Sequence, residues 1–283
     1  MVDEKQPIEV SAIRFHTIDN LIIDHMVALS KNRDKSFVNN TEELHSYFVS
    51  HPCNRFKYYE MVEPIEINPS LRSIFFMGSS IHEIVKRFLN SVAFSNPKLK
   101  VYEFEKEFFY NHKDVKFKGS IDALINLEST DYVLEIKSIH PNVFFSSELP
   151  YDSHVIQTNL YMGYANVHNG LIMYVNKTNF STRTFLIRFD EKLFTQTLDD
   201  ALILINQIHN KQIPDFNILF NPNKFPCRDC QYIQKCAKEV ITFLKQTTPP
   251  TIVNDSVANA LVDTVENNKN DTENKEKEEQ KPQ

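Results

Sequence analysis

Two apolar runs in the middle of the chain carry charge where the interior of a sheet should carry none. Ile121-Asp122-Ala123-Leu124-Ile125 holds an acid, and Leu134-Glu135-Ile136-Lys137 holds an acid and a lysine two residues apart. Both lie in stretches with the β-branched content of central strands, so strands are predicted over 115–127 and 132–139. Residues i and i+2 share one face of a strand. Glu135 and Lys137 therefore point one way while Leu134 and Ile136 turn to the core. If the strands are neighbours, the short connection over 128–131 lets Asp122 and Glu135 converge.

Two carboxylates on one patch of sheet repel unless a cation lies between them. Hard oxygen ligands suit Mg²⁺ or Mn²⁺, and a neighbouring lysine can orient water and stabilise charge on a phosphate. A salt bridge at a strand end is the plain alternative for any single Glu-x-Lys. The Gly119-x-x-Asp122 ahead of it weighs against that alternative without removing it.

Helical periodicity brackets the strands. Ile18, Leu21, Ile22, Met26 and Leu29 recur at helical spacing, and Thr41 followed by Glu42 and Glu43 reads as a helix N-cap with acids in the first turn. A helix is predicted from about 72 to 90, with Ile74, Phe75, Ile81, Ile84, Val85, Phe88 and Leu89 on a wide apolar face. Residues 101–110 alternate in part, Glu103, Glu105 and Glu107 opposing Tyr102, Phe104 and Phe108. Further on come a helix over 153–166, strands over 171–175 and 184–189, and an amphipathic helix over 191–209. This order predicts an α/β domain with a mixed sheet flanked by helices.

Composition excludes several classes. Lysine and arginine number 31 against 37 acids, a net charge of -6, which excludes a basic packaging protein. It leaves room for a nucleic-acid enzyme that works through a bound metal and a local basic groove. Lys113, Lys116, Lys118, Lys177, Arg183 and Arg188 are the candidates for such a groove. With only four glycines and no phosphate-binding loop, a nucleotide motor is excluded, so an unwinding partner would be a separate chain such as a helicase. No run is apolar and long enough to span a bilayer. The charged start, Met1-Val2-Asp3-Glu4, has no apolar core of a secretion signal, and a cytoplasmic protein with reduced cysteines is expected, in the host cytoplasm if the source is viral. Past residue 249 the chain turns acidic and loses its aromatics, which predicts a disordered tail over 249–283 behind a single domain over 1–248.

The four cysteines are Cys53, Cys227, Cys230 and Cys236. Thiolates prefer soft or borderline metals, and four of them fit zinc or an iron–sulfur cluster. The C-x2-C-x5-C spacing of the last three speaks against four unrelated thiols, while zinc stays a rival on spacing alone.

Taken in order, His82, Gly119-x-x-Asp122, Glu135-Ile136-Lys137 and Gln157-x-x-x-Tyr161 resemble the signature of RecB-type nucleases of the PD-(D/E)XK superfamily. Cys53, within His51-Pro52-Cys53-Asn54-Arg55-Phe56-Lys57-Tyr58-Tyr59, resembles an N-terminal cluster ligand of that group in slightly altered order. Pro226-Cys227-Arg228-Asp229-Cys230 and Cys236 resemble its C-terminal trio. The whole is most similar to the CRISPR-associated iron–sulfur exonucleases of the Cas-four type, over roughly residues 40 to 240.

That resemblance implies a restriction-endonuclease-like core over about 70–210, with flanks at 40–70 and 220–246 joined by a [4Fe-4S] cluster on the four cysteines. It implies a divalent metal, Mn²⁺ or Mg²⁺, held by His82, Asp122, Glu135 and the carbonyl of Ile136. Lys137 would position water, Gln157 would support the metal site or the lysine, and Tyr161 would contact the DNA backbone. The activity implied is a metal-dependent deoxyribonuclease, a 5′ to 3′ exonuclease on single-stranded or frayed DNA ends, serving CRISPR spacer acquisition alongside integrase subunits. Two alternatives stand beside it: a catalytically weak iron–sulfur DNA-binding accessory subunit of an integration or recombination complex, and a zinc-stabilised restriction-like or viral recombination nuclease.

Overall fold

The computed structural model describes residues 40–65, 69–216, 220–228 and 230–247. The helix expected around Ile18 to Leu29 and the expected tail over 249–283 lie outside the described residues. The elements run β1 (Glu43–His45), α1 (Ser46–Val49), α2 (Asn54–Val62), α3 (Pro69–Ser95), β2 (Leu99–His112), β3 (Val115–Leu127), β4 (Thr130–Ile139), α4 (Pro141–Phe144), α5 (Asp152–Ala165), β5 (Asn169–Asn176), β6 (Thr182–Arg188), α6 (Glu191–His209) and α7 (Ile233–Thr247).

Among the described residues six strands form one mixed sheet, ordered β1-β3-β4-β5-β6, with β2 also paired to β3. β2–β3, β3–β4 and β5–β6 are antiparallel; β1–β3 and β4–β5 are parallel. The long β3 holds β2 along one edge and divides the other. Its residues 116–118 pair with β1, and 123–127 pair with β4. Between them, residues 119–121 have ladder partners in β2 only, so the sheet forks there.

Three local features set this geometry. Glu128 and Ser129 join β3 to β4 at φ of 49° and 69°, the left-handed pair that a two-residue hairpin of this hand requires. Asn166 closes α5 at φ 53°, a conformation asparagine tolerates better than most residues. Asp190 caps α6 by accepting the Leu193 amide at 2.9 Å, and the helix then buries Phe194, Leu198, Ala201, Leu204 and Ile205 at helical spacing.

The sheet is covered on both faces. On one, Ile81 and Val85 of α3 cluster with Ala123, Ile125, Leu134 and Ile136. On the other, Tyr161 and Met162 of α5 cluster with Ile121 and Val133. Phe104 belongs with the first group and Phe108 with the second, so the β2–β3 ribbon turns over between them. The turn coincides with Glu105, at φ 50°, and a register shift between Val101 and Glu103. The alternation, expected only in part over 101–110, breaks here because the ribbon must leave α3 and reach α5.

Two further expectations are corrected. Thr41 caps no helix: Asn40 Oδ1 accepts the amides of Glu42 and Glu43, both at 2.8 Å, and the chain enters β1. Pairing with β3 and complete burial of Leu44 decide the matter, neither of which is local. The helix predicted over 72–90 runs further in both directions, and Phe75 and Phe88 on its expected apolar face remain more than half exposed.

Candidate active site

The fork in the sheet gathers the acids. Asp122 sits where the β3–β4 ladder stops, and its Oδ2 accepts the Ile136 amide at 2.7 Å. A side-chain oxygen thus replaces a ladder carbonyl, which is a structural role the sequence did not reveal. Its Oδ1 lies 3.2 Å from His82 Nδ1 on α3. Burial pulls His82 toward the neutral form, but the bond to Asp122 and the fields of Asp122 and Glu135 overcome it, so its pKa is raised.

Glu135 is 3% exposed. Its Oε1 lies 2.7 Å from Lys137 Nζ, and its Oε2 is buried with no hydrogen-bond partner. Burial pushes this carboxyl up to about 7, against the pull of Lys137 and with the repulsion of Asp122. A buried carboxylate oxygen without a partner costs free energy that a cation would recover. Leu134 and Ile136 pack on α3, so the expected division of the strand into a charged and an apolar face is present.

A relay of side chains runs from the lysine into α5. Lys137 Nζ donates to Gln157 Oε1 at 2.9 Å, and Gln157 Nε2 donates to the Tyr161 hydroxyl at 2.8 Å. Residues i and i+4 share one helix face. Tyr161 is 4% exposed, and burial holds its hydroxyl well above the ordinary tyrosine pKa. Its ring needs Gly119: a Cβ there would lie 2.4 Å from Tyr161 Cε1. His82, Asp122, Glu135, Lys137, Gln157 and Tyr161 are thereby joined in one cluster, with Ile136 at its centre.

His154, one turn before Gln157, had no assigned role in the sequence. It is partly buried, its Nδ1 2.8 Å from the Tyr174 hydroxyl, and desolvation followed by the charge of Lys137 lowers its pKa to about 3. Only its place on the Gln157 face of the helix hinted at this.

The candidates for a basic groove fall in two places, with Lys177 just past β5 where its amide donates to the Ile139 carbonyl. Lys113 pairs with Asp199, Lys116 with Glu43 and Lys118 with Glu107. Arg183 donates to the Phe144 carbonyl and Arg188 to Asn169. The first three lie on the β2–β3 ribbon, while Arg183 and Arg188 lie on β6 at the opposite edge of the sheet.

At a second locus, Cys53, Cys227, Cys230 and Cys236 line one apolar cavity with Phe56 and Phe220. Two buried aromatic segments bring them there. Cys53 precedes α2, which is tied to the chain around α7 by Tyr59 to Glu239, Tyr232 to Glu60 and Gln231 to Glu60. All four are free thiols, and burial raises Cys230 to about 12 and Cys236 to about 11. Thiols raised as far as Cys230 and Cys236 stay protonated at neutral pH unless a metal takes them as thiolates. Among the described residues no three His, Cys, Asp or Glu side chains converge on a single ion.

The fold has solved counterparts. The structure titled SSO0001 superposes with a TM-score of 0.53 at 18% identity, over 75% of this chain and 94% of the other. That likeness extends to the fold and no further. An alkaline exonuclease from Laribacter hongkongensis gives 0.40 at 10% identity over 70% of this chain and 94% of its own. A phage-related exonuclease from Haemophilus somnus gives 0.38 at 13% over 56% and 81%. Scores at that level carry no argument about this chain. No protein-family model and no curated protein matches the sequence. Among the described residues no helix is long and apolar enough to cross a membrane.

Proposed function

We propose that the chain is a divalent-metal-dependent DNA nuclease. The observation that carries this reading is the fork in the sheet, where Asp122, Glu135 and His82 meet Lys137 and one buried Glu135 oxygen has no partner. Two carboxylates and an imidazole are a donor set for a hard or borderline divalent cation such as Mn²⁺ or Mg²⁺. When bound, that cation supplies charge neutralisation at a phosphodiester and acidifies coordinated water.

The protein's own part is positioning. Asp122 is fixed by the Ile136 amide, and Lys137 is held between Glu135 and Gln157, where it can orient water and stabilise developing phosphate charge. Tyr161 has no access to a DNA backbone at 4% exposure; its role in this reading is to hold Gln157. The four thiols are proposed to hold a [4Fe-4S] cluster. Cys53, Cys227, Cys230 and Cys236 would hold it, and their thiolates suit a soft or borderline metal. The preference for single-stranded ends, the 5′ to 3′ polarity, and a part in spacer acquisition with integrase subunits or a helicase rest on the sequence resemblance alone.

The test is degradation of end-labelled single-stranded DNA with Mn²⁺ by anaerobically purified protein, wild type against Asp122→Asn. Cleavage lost in the variant supports the nuclease, and the label reports polarity. Equal cleavage by both proteins removes Asp122 from the site. DNA binding without cleavage by metal-replete wild type favours the accessory-subunit alternative.

A further inference from the structure

Two cations are buried beside the cysteines. Arg55 and Lys57, both on α2, are 6% and 8% exposed. The Arg55 guanidinium lies 4.0 Å over the ring of Phe216, a wall of the cavity, and its Nη2 pairs with Glu239. Its Nε has no partner, and the same guanidinium is within hydrogen-bonding reach of Cys236. Lys57 donates to the Val49 carbonyl at 3.3 Å and lies close enough to Cys53 for their charges to interact. Backbone amides are turned on the sulfurs too, Phe56 on Cys53 at 3.5 Å and Tyr232 on Cys230 at 3.4 Å.

A buried guanidinium with an idle N–H is costly beside neutral thiols and favourable beside anionic sulfur. Donors and cations arranged around a sulfur site are also what set the reduction potential of an iron–sulfur cluster. Resting on the iron–sulfur reading above, we propose that Arg55 is the residue that sets the cluster's reduction potential, its buried charge stabilising the reduced state beside the Cys236 sulfur. Reduction adds one electron and breaks no bond, so one more negative charge must be held among buried rings. Arg55 supplies a buried positive charge there, and Glu239 offsets part of it.

The experiment is a dithionite titration with redox mediators on full-length, anaerobically purified protein, read by visible absorbance and electron paramagnetic resonance, after iron and sulfide are measured. Arg55→Met should shift the one-electron equilibrium about tenfold toward the oxidised cluster, about 59 mV. Arg55→Lys should recover part of the shift. Glu239→Gln, at a partly exposed carboxylate, should move the potential the opposite way. If Arg55→Met fails to assemble, the direction given by Glu239→Gln decides alone. Unchanged potentials at intact iron content overturn the role of Arg55 and leave the cluster standing. Wild type holding zinc and no iron overturns both, while Asp122→Asn still tests the nuclease independently.

Discussion

Asp122 and Ile136 are joined side chain to backbone at 2.7 Å, one residue past the last rung between Ala123 and Leu134. The bond makes Asp122 both a strut of the fork and a candidate metal ligand, and two substitutions separate the roles. Asp122→Asn keeps an oxygen for the Ile136 amide, so its unfolding midpoint should stay near wild type. Asp122→Ala strands a buried amide and should cost about 1–3 kcal/mol. Both should lose Mn²⁺-dependent cleavage by on the order of 100-fold or more. Full activity in Asp122→Asn would exclude a ligand role.

Gly119 has no freedom to grow. An alanine methyl would sit 2.4 Å from Tyr161 Cε1 and 3.0 Å from Ser46 Oγ. Gly119→Ala should therefore push Tyr161 off its seat, cost about 1–3 kcal/mol of stability, and loosen the Gln157 bond to Lys137. Paired with Tyr161→Leu, which frees the space, the stability loss should fall short of the sum of the two single losses. Strict additivity in urea unfolding would show that the two residues do not meet.

Gln157 bridges Lys137 and Tyr161. Gln157→Ala frees the lysine while leaving the acids in place. Its kcat should drop at least about tenfold with little change in the Mn²⁺ concentration needed for half-maximal rate. A change confined to metal dependence would place Gln157 with the ligands instead. Tyr161→Phe should cost about 1 kcal/mol of stability and less activity than Gln157→Ala, because the tyrosine acts through the glutamine.

What could be read from the sequence followed the range of the forces involved. β3 and α6 have the predicted limits because a period of two and a period of 3.6 are local signals. The meeting of Asp122 with Glu135 was legible from the short hairpin, and the common cavity of the cysteines was suggested by their spacing and the family resemblance. β1 was not legible: Glu43, read as part of a helix's first turn, instead opens a three-residue strand because residues 116–118 lie alongside. The turnover of the ribbon at Glu105, the seat of Arg55 on Phe216 and the packing of His154 against Tyr174 each depend on a partner distant in sequence. No window of sequence contains both partners.

His154 gives the fold a measurable sensitivity to acid. Burial, and then the Lys137 charge, lower its pKa from 6.5 to about 3. The unfolded chain therefore binds a proton before the folded chain does. The stability this neutral histidine protects is fully present above 6.5 and is lost as pH falls from 6.5 toward 3. At pH 5 the loss should reach about 2 kcal/mol, at 1.36 kcal/mol for each pH unit below 6.5. His51, lowered to about 4 by burial, contributes a second loss over much of the same range. His82 acts in the opposite sense, because its raised pKa favours the folded state below 6.5. Comparing wild type with His154→Gln isolates one group from the other two. Urea unfolding at pH 7.5 and pH 5 should show the advantage of wild type over the variant shrinking by about 2 kcal/mol, as glutamine cannot protonate. Parallel curves for the two proteins would mean that His154 takes up its proton without leaving Tyr174, and that its burial carries no charge penalty.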